Sequence, residues 1–193
     1  MILSKGKLFI ISAPSGAGKT TLAKAVLNQF PDLLFSVSYT TRAPRVGEQN
    51  GVDYFFINKK KFIIDIEKDK WAEWAEVYGN FYGTSAEFLN KNLNNGKHIF
   101  LDIDINGTLQ ILKHYPDAIT IFIMPPSLDI LKTRLKSRNT DSEDEIEKRL
   151  LKAENEINKK NLYQYIIIND NLQTAINKLI SLIKHEIKSV IPH

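Results

Sequence analysis

The octapeptide Ala13-Pro-Ser-Gly-Ala-Gly-Lys-Thr20 stands between the apolar run Leu8-Phe9-Ile10-Ile11 and Leu22, Ala23, Val26 and Leu27, which share a helix face. Strand, glycine loop, Lys-Thr and helix, in that order, is the context of a phosphate-binding loop. Backbone N–H groups of such a loop turn inward onto phosphate oxygens, and the positive end of the following helix reinforces them. Gly16 and Gly18 permit the positive φ and the close backbone approach that this requires. Pro14, Ser15 and Ala17 complete the cradle. Lys19 can reach the β- and γ-phosphates, and the Thr20 hydroxyl can ligate Mg²⁺. Ala13 replaces the first glycine of the strict pattern, at little cost if its φ stays negative. A plain strand-to-helix turn with a solvated Lys19 is the alternative. The loop by itself points to a nucleoside triphosphate and leaves the reaction open.

Outward from the loop, apolar runs suited to buried strands recur at Ile99–Ile103, Ile119–Met124 and Tyr165–Ile168. Helical patterns cover Thr20–Phe30, Leu128–Ser137, Glu143–Leu162 and Leu172–Ile187, the last with a stripe of Leu172, Ile176, Leu179, Ile183 and Ile187. Strands alternating with helices predict an α/β fold, a mainly parallel sheet flanked by helices. From Ser36 to about Asn95 the pattern changes to aromatic-rich short strands at Val37–Tyr39, Tyr54–Ile57 and Glu76–Tyr78. Turn signals there are Asn50-Gly51 and Gly79-Asn80, and a helix is expected over Ser85–Asn94. This segment reads as a mixed α/β insertion beside the parallel core. The polar stretch Ser137–Ser142 between two helices is a second candidate mobile piece.

Composition narrows the class. The 193 residues suit one domain, and 43% hydrophobic with 25% charged residues is ordinary for a soluble protein. No apolar run is long enough for a membrane helix, and the N-terminus lacks a signal-peptide core. The absence of cysteine excludes disulfides and thiol chemistry and suits a reducing cytoplasm. The net charge of +4 fits a binder of phosphates. Lysines interleaved with acids, as in Glu143-Asp-Glu-Ile-Glu-Lys-Arg149, argue for solvated helix faces and against a nucleic-acid stripe. The four histidines lie apart and suggest no site.

A second constellation is Ser36-Val-Ser-Tyr-Thr-Thr-Arg-Ala-Pro-Arg45, continuing through Gly47-Glu48 and Gly51-Val-Asp-Tyr54. Arg42 and Arg45 can converge on one anion, since guanidinium forks match phosphate, though a basic surface turn would read the same way. The spacing Thr40-Thr41-Arg42-x₂-Arg45-x₂-Glu48-x₂-Gly51-x₂-Tyr54-x-Phe56 resembles the signature segment of guanylate kinases. Co-linear matches follow at Glu73-Trp74-Ala75, Gly79–Thr84, Leu101–Asp104, Pro125-Pro126, Arg134 to Arg149, and Ile168–Asp170. The resemblance runs from about residue 6 to 187.

It implies a core (1–35, 97–126 and 150–193), a GMP-binding insertion (36–96) and a small helical lid (127–149). The implied reaction is ATP + GMP ⇌ ADP + GDP with Mg²⁺ on the triphosphate, in a cytoplasmic enzyme without an obligate protein, nucleic-acid or membrane partner. Use of dGMP stays open. Arg42, Arg45, Tyr54 and Tyr82 would hold the GMP phosphate, two cations and two hydroxyls for a dianion. Ser38, Glu73, Thr84 and Asp104 would read guanine. A carboxylate can accept from the adjacent N1–H and 2-amino donors, a pattern adenine opposes. From the residues alone, Glu73 between Trp71 and Trp74 reads rather as a solvated helix or loop acid. Asp102 would organise Mg²⁺ through water, as the acid ending a strand; it lies two residues from Asp104, on the same strand face. Arg134, Arg138 and Arg149 resemble lid arginines, although Arg149 also suits a pair with Glu145. Asn169 fits an adenine or ribose contact and suits equally the cap of the last helix. Asn106 and Asn139 depart from the family pattern without removing a charge. The remaining classes are another monophosphate kinase, a kinase-like interaction module and a nucleic-acid binder. The Thr-Thr-Arg segment with Glu73, the intact Lys19, and the lack of a basic aromatic motif argue against them in turn.

Overall fold

A computed structural model describes residues 5–137 and 142–189. In chain order the elements begin with β1 (Leu8–Ser12), α1 (Lys19–Gln29), β2 (Leu34–Phe35), β3 (Tyr39–Thr40), β4 (Phe55–Phe56) and α2 (Lys59–Glu67). Next come β5 (Trp71–Val77), β6 (Asn80–Ser85), α3 (Ala86–Asn94), β7 (Ile99–Asp102) and α4 (Ile105–His114). The chain closes with β8 (Ile119–Met124), α5 (Leu128–Lys136), α6 (Glu143–Ile157), β9 (Tyr165–Ile168) and α7 (Leu172–Lys188). Two compact units result. The phosphate-loop unit comprises Phe9–Pro31, Asp102–Ile105 and Ile119–His193; the other comprises Met1–Leu8, Asp32–Leu101 and Asn106–Ala118.

In the phosphate-loop unit β8 pairs in parallel with both β1 and β9, with Ile10 opposite Thr120 and Ile121 opposite Tyr165. All of β1 is buried, as is β8 except Met124, which is why both read as unbroken apolar runs. Helix α1 follows β1 after only the glycine loop. It buries Leu22, Ala23 and Val26 and packs on α7, which buries Ala175, Leu179 and Ile183. A fully buried leucine contributes about 1.5–3 kcal/mol, so this face ties down the loop that precedes it. Helices α5 and α6 share a core of Leu131, Leu135, Ile146 and Ala153.

The pattern predicts one helix to Leu162, but α6 stops at Ile157 and Lys160–Leu162 forms a separate 3₁₀ turn. Three and four residues beyond Ile157 stand Lys160 and Asn161, so the apolar stripe has nothing to continue it.

The other unit carries a four-stranded sheet in the order β4-β3-β6-β5 and the parallel pair β2–β7. The hairpin β5–β6 turns on Tyr78 and Gly79, at φ 49° and 78°. Two successive left-handed residues are what a twisted two-residue hairpin turn demands. The Gly79-Asn80 cue lay one residue too late. Strand β5 also starts at Trp71, well before the predicted Glu76. A register shift between Trp71 and Glu73 breaks the alternation that would have revealed it. Trp71 is fixed instead by Phe62, stacked at 4.3 Å. Helix α2 carries only Phe62 and Asp65 as buried residues, too thin a stripe to read, and α4 was likewise not expected. Among the described residues no helix is long and apolar enough to cross a membrane.

Candidate active site

The phosphate loop leaves β1 at Ser12, whose hydroxyl donates to the Ile103 carbonyl at 2.7 Å. Gly16 and Gly18 take φ of 92° and 94°. Ala13 is absent from the positive-φ residues, so the missing first glycine costs the backbone nothing there. Gly18 caps α1 with no side chain and no acid in the first turn, which leaves the helix N-terminus open to an anion. The Lys19 ammonium is paired with the Asp102 carboxylate at the end of β7.

The loop and Thr20 form one wall of an open cavity of about 350 Å³; Asp104, Arg149, Lys152 and Glu156 line the rest. Arg149 donates to Ser15 Oγ at 3.4 Å, while Glu145 is occupied in a capping box with Ser142. Lys152 and Glu156 were missed in the sequence. The signal was present, because positions 149, 152 and 156 share a helix face with an arginine already under suspicion. Burial pushes the Glu156 carboxyl above its ordinary value, and Asp104 adds to this, while Lys152, Lys19 and Lys159 oppose it.

Asn169 is 4% exposed and does not cap α7; Asn171 does, accepting from Thr174 N. The Asn169 side chain turns instead to the phosphate loop, where Nδ2 donates to the Ala17 carbonyl at 2.8 Å. Its buried Oδ1 has no hydrogen-bond partner among the described residues. Gly18 lies so close that a β-carbon there would meet Asn169 Nδ2 at 2.3 Å. Arg134, matched to the lid arginines, donates to the Asn169 carbonyl at 2.9 Å. Arg138 and Asn139 lie outside the described residues.

The second unit gathers a different set. Arg42 donates through Nη2 to Glu48 Oε1 at 2.8 Å and through Nη1 to the Ala43 carbonyl at 2.7 Å. The other oxygen of Glu48 accepts from the Arg45 backbone N–H at 2.7 Å. The bond to Arg42 holds the Glu48 carboxyl below its ordinary value, and Glu48 in return raises the guanidinium. Tyr54 lies under Arg42 at 5.4 Å, and the Tyr54 and Tyr82 rings meet edge-on at 6.0 Å. Arg42, Tyr54 and Tyr82 are thus brought together, and Arg45 joins them through its backbone with an exposed side chain. Glu48 belongs to the same motif, but its distance of six residues from Arg42 shows no periodicity, because the turn creates the contact.

Glu73 and Thr84 face each other across β5–β6. Thr84 is fully buried, Glu73 is 7% exposed, and the Thr84 hydroxyl donates to Glu73 Oε1 at 2.6 Å. Glu73 is therefore a buried strand carboxylate and not a solvated acid. Ser38, half-buried, accepts through its carbonyl from Phe55 N at 2.9 Å. Asp104 is the one residue matched to guanine recognition that belongs to the phosphate-loop unit.

Residues 5–186 match the family model described as guanylate kinase. A guanylate kinase of Geobacter sulfurreducens is 48% identical over 179 residues, 93% of this chain and 88% of its own length. One from Caldanaerobacter subterraneus subsp. tengcongensis is 45% identical over 182 residues, 94% of this chain and 88% of its own. The crystal structure of guanylate kinase from Anaplasma phagocytophilum aligns with a TM-score of 0.78 at 30% identity, covering 98% of this chain and 90% of that one. A phosphate loop with its lysine intact, a buried carboxylate–hydroxyl pair and an arginine–tyrosine cluster are arrayed on a chain matched over nearly its full length, and the chain belongs to the guanylate kinase family.

Proposed function

We propose that the chain transfers the γ-phosphoryl group of ATP to GMP, yielding ADP and GDP. The observation that carries the choice of base is the buried Glu73 carboxylate bonded to Thr84. Guanine offers N1–H and its 2-amino group as adjacent donors to such a carboxylate, whereas adenine offers an acceptor at N1. A buried acceptor left unpaired by the wrong base supports discrimination of about 10⁴-fold. Ser38 and Asp104 would complete the recognition of GMP.

Arg42 and Arg45 supply two cations for the GMP phosphate, and Tyr54 and Tyr82 supply hydroxyls. Glu48 orients Arg42 by its charge-assisted bond. The phosphate is already an anionic nucleophile, so no general base is needed. In-line transfer passes through a loose transition state, and positioning with charge neutralisation does most of the work. For ATP, the backbone from Ala13 to Gly18 cradles the phosphates, with Lys19 and Arg149 as cations. Lys19 has only to exchange the Asp102 carboxylate for a triphosphate, a partner of higher charge. Arg134 and Arg138 would serve the transferring phosphates, and Asn169 would border the adenosine side. The insertion 36–96 and the segment 127–149 are the parts assigned to GMP binding and to a lid.

Among the described residues no group of three His, Cys, Asp or Glu side chains could hold a cation alone. Mg²⁺ in kinases is held by one or two protein oxygens together with substrate phosphates and water. The Thr20 hydroxyl and the Asp102 carboxylate are hard oxygen donors of that kind, so the residues fit the ion. Bound there, it would neutralise charge on the phosphates. The proposal includes a cytoplasmic setting, which the cysteine-free sequence suits, and a place in purine nucleotide metabolism.

The test is ADP formation from Mg-ATP with GMP, AMP, UMP and dTMP offered separately. Turnover with GMP, reduced about 10²-fold or more by Lys19→Ala, is expected. Equal turnover with AMP would overturn the base assignment, and GMP binding without turnover would favour an interaction module.

A further inference from the structure

Strand β5 is an edge strand of its sheet, and the outward N–H and C=O groups of an edge usually go to water. At Trp74 they do not. Gln110, on α4, accepts from the Trp74 N–H through Oε1 at 3.1 Å and donates from Nε2 to the Trp74 carbonyl at 3.0 Å. One side-chain amide thus stands in for a neighbouring strand, bonded in both directions to a single residue. The pairing admits only one orientation of the amide, since the reverse would set donor against donor.

The next residue back is Glu73, the first paired position after an irregularity in the ladder. The register of β5 against β6 shifts between Trp71 and Glu73, so Ala72 and Glu73 are both buried in place of alternating. A bulge of this kind re-aims a side chain and leaves local pairing incomplete. Beyond the irregularity Glu73 is the first residue in register, opposite Thr84, and Trp74, held by Gln110, carries that register on against Gly83.

We propose that Gln110 is a positioning residue for base recognition. Its two-way bond with the Trp74 backbone sets the register from which Glu73 meets guanine. This rests on the reading of Glu73 as the guanine-binding carboxylate.

The test compares Gln110→Met and Gln110→Glu with wild type and with Glu73→Gln. In Gln110→Met the KM for GMP should rise about tenfold, the scale of one or two lost hydrogen bonds, and the preference for GMP over AMP should narrow. KM for ATP should stay within about twofold, because no bond in the phosphate-loop unit is touched. Gln110→Glu keeps the shape but, when ionised, cannot donate to the Trp74 carbonyl. Its KM for GMP, relative to wild type at the same pH, should therefore fall back as pH drops from 8 to the ordinary glutamate value of about 4.3 and the acid regains a proton. A lowered Tm with both KM values unmoved would mean a merely structural role and would overturn the proposal. So would unchanged GMP preference in both Gln110 variants while Glu73→Gln loses it. If Glu73→Gln itself keeps full preference for GMP, the base assignment fails and the inference fails with it.

Discussion

Replacing Gly18 by alanine tests how the phosphate loop is held in shape. Two separate penalties are built into the site. The residue has φ 94°, where a β-carbon costs about 1–2 kcal/mol. That β-carbon would also stand 2.3 Å from Asn169 Nδ2, so the amide must move and give up its 2.8 Å bond to the Ala17 carbonyl. Ala17 is fully buried and Asn169 nearly so, and leaving such groups unpaired costs about 1–3 kcal/mol. The sum is about 2–5 kcal/mol, a large share of the stability of an ordinary domain. Asn169→Ala alone should cost about 1–3 kcal/mol by losing the same bond. In the double variant the collision has no partner, so Gly18→Ala should then cost only the backbone strain, about 1–2 kcal/mol. Urea unfolding of the four proteins gives the coupling directly. Far-UV circular dichroism is the appropriate signal, because both tryptophans, Trp71 and Trp74, belong to the other unit. The double variant should be more stable than the sum of the singles predicts by about 1–3 kcal/mol. Additivity within about 0.5 kcal/mol would refute the account, because residues that do not touch behave that way.

Two further outcomes follow from one buried and one half-buried carboxyl group. Thr84→Val removes the hydroxyl that bonds Glu73 with little change of shape; KM for GMP should rise about tenfold or more while KM for ATP holds, and steady-state kinetics with Thr84→Ser as the control would contradict this if both substrates were affected alike. Burial raises the Glu156 carboxyl above its ordinary value of 4.5. A group raised on folding contributes its stability below the unfolded value and loses it as pH climbs through the folded one. Glu156→Gln does not titrate, so its urea midpoint should gain on wild type between pH 4 and pH 8; a difference that stays flat with pH would rule out the burial argument.

Much of the chemistry was legible along the chain because it is local. A phosphate loop is a strand end, a run of small residues and a helix start, and Gly16, Gly18, Lys19 and Thr20 carry the whole device within five positions. The parallel strands were equally plain, since burial of both faces writes itself as an apolar run such as Ile119–Met124. Arg42 and Arg45 were recognisable as a candidate anion pair by spacing, Tyr54 and Tyr82 were added by the resemblance to guanylate kinases, and the structure brings Arg42, Tyr54 and Tyr82 close together.

What one dimension could not carry were the partners supplied by distant chain. Asn169 looked like a cap beside its own helix; its side chain instead reaches the Ala17 carbonyl, 152 positions away. Glu73 read as solvated until the hairpin set it opposite Thr84 in the interior, by way of a register shift that erases the alternation in β5. Gln110 gave no signal at all, because a single amide bonded to backbone leaves no pattern in either segment. Local sequence determined which groups could bind phosphate, since backbone conformation and helix ends are set by near neighbours. Tertiary packing alone decided which carboxylate lost its water and which amide holds the loop, since burial and hydrogen-bond partnership belong to surfaces that meet only after folding.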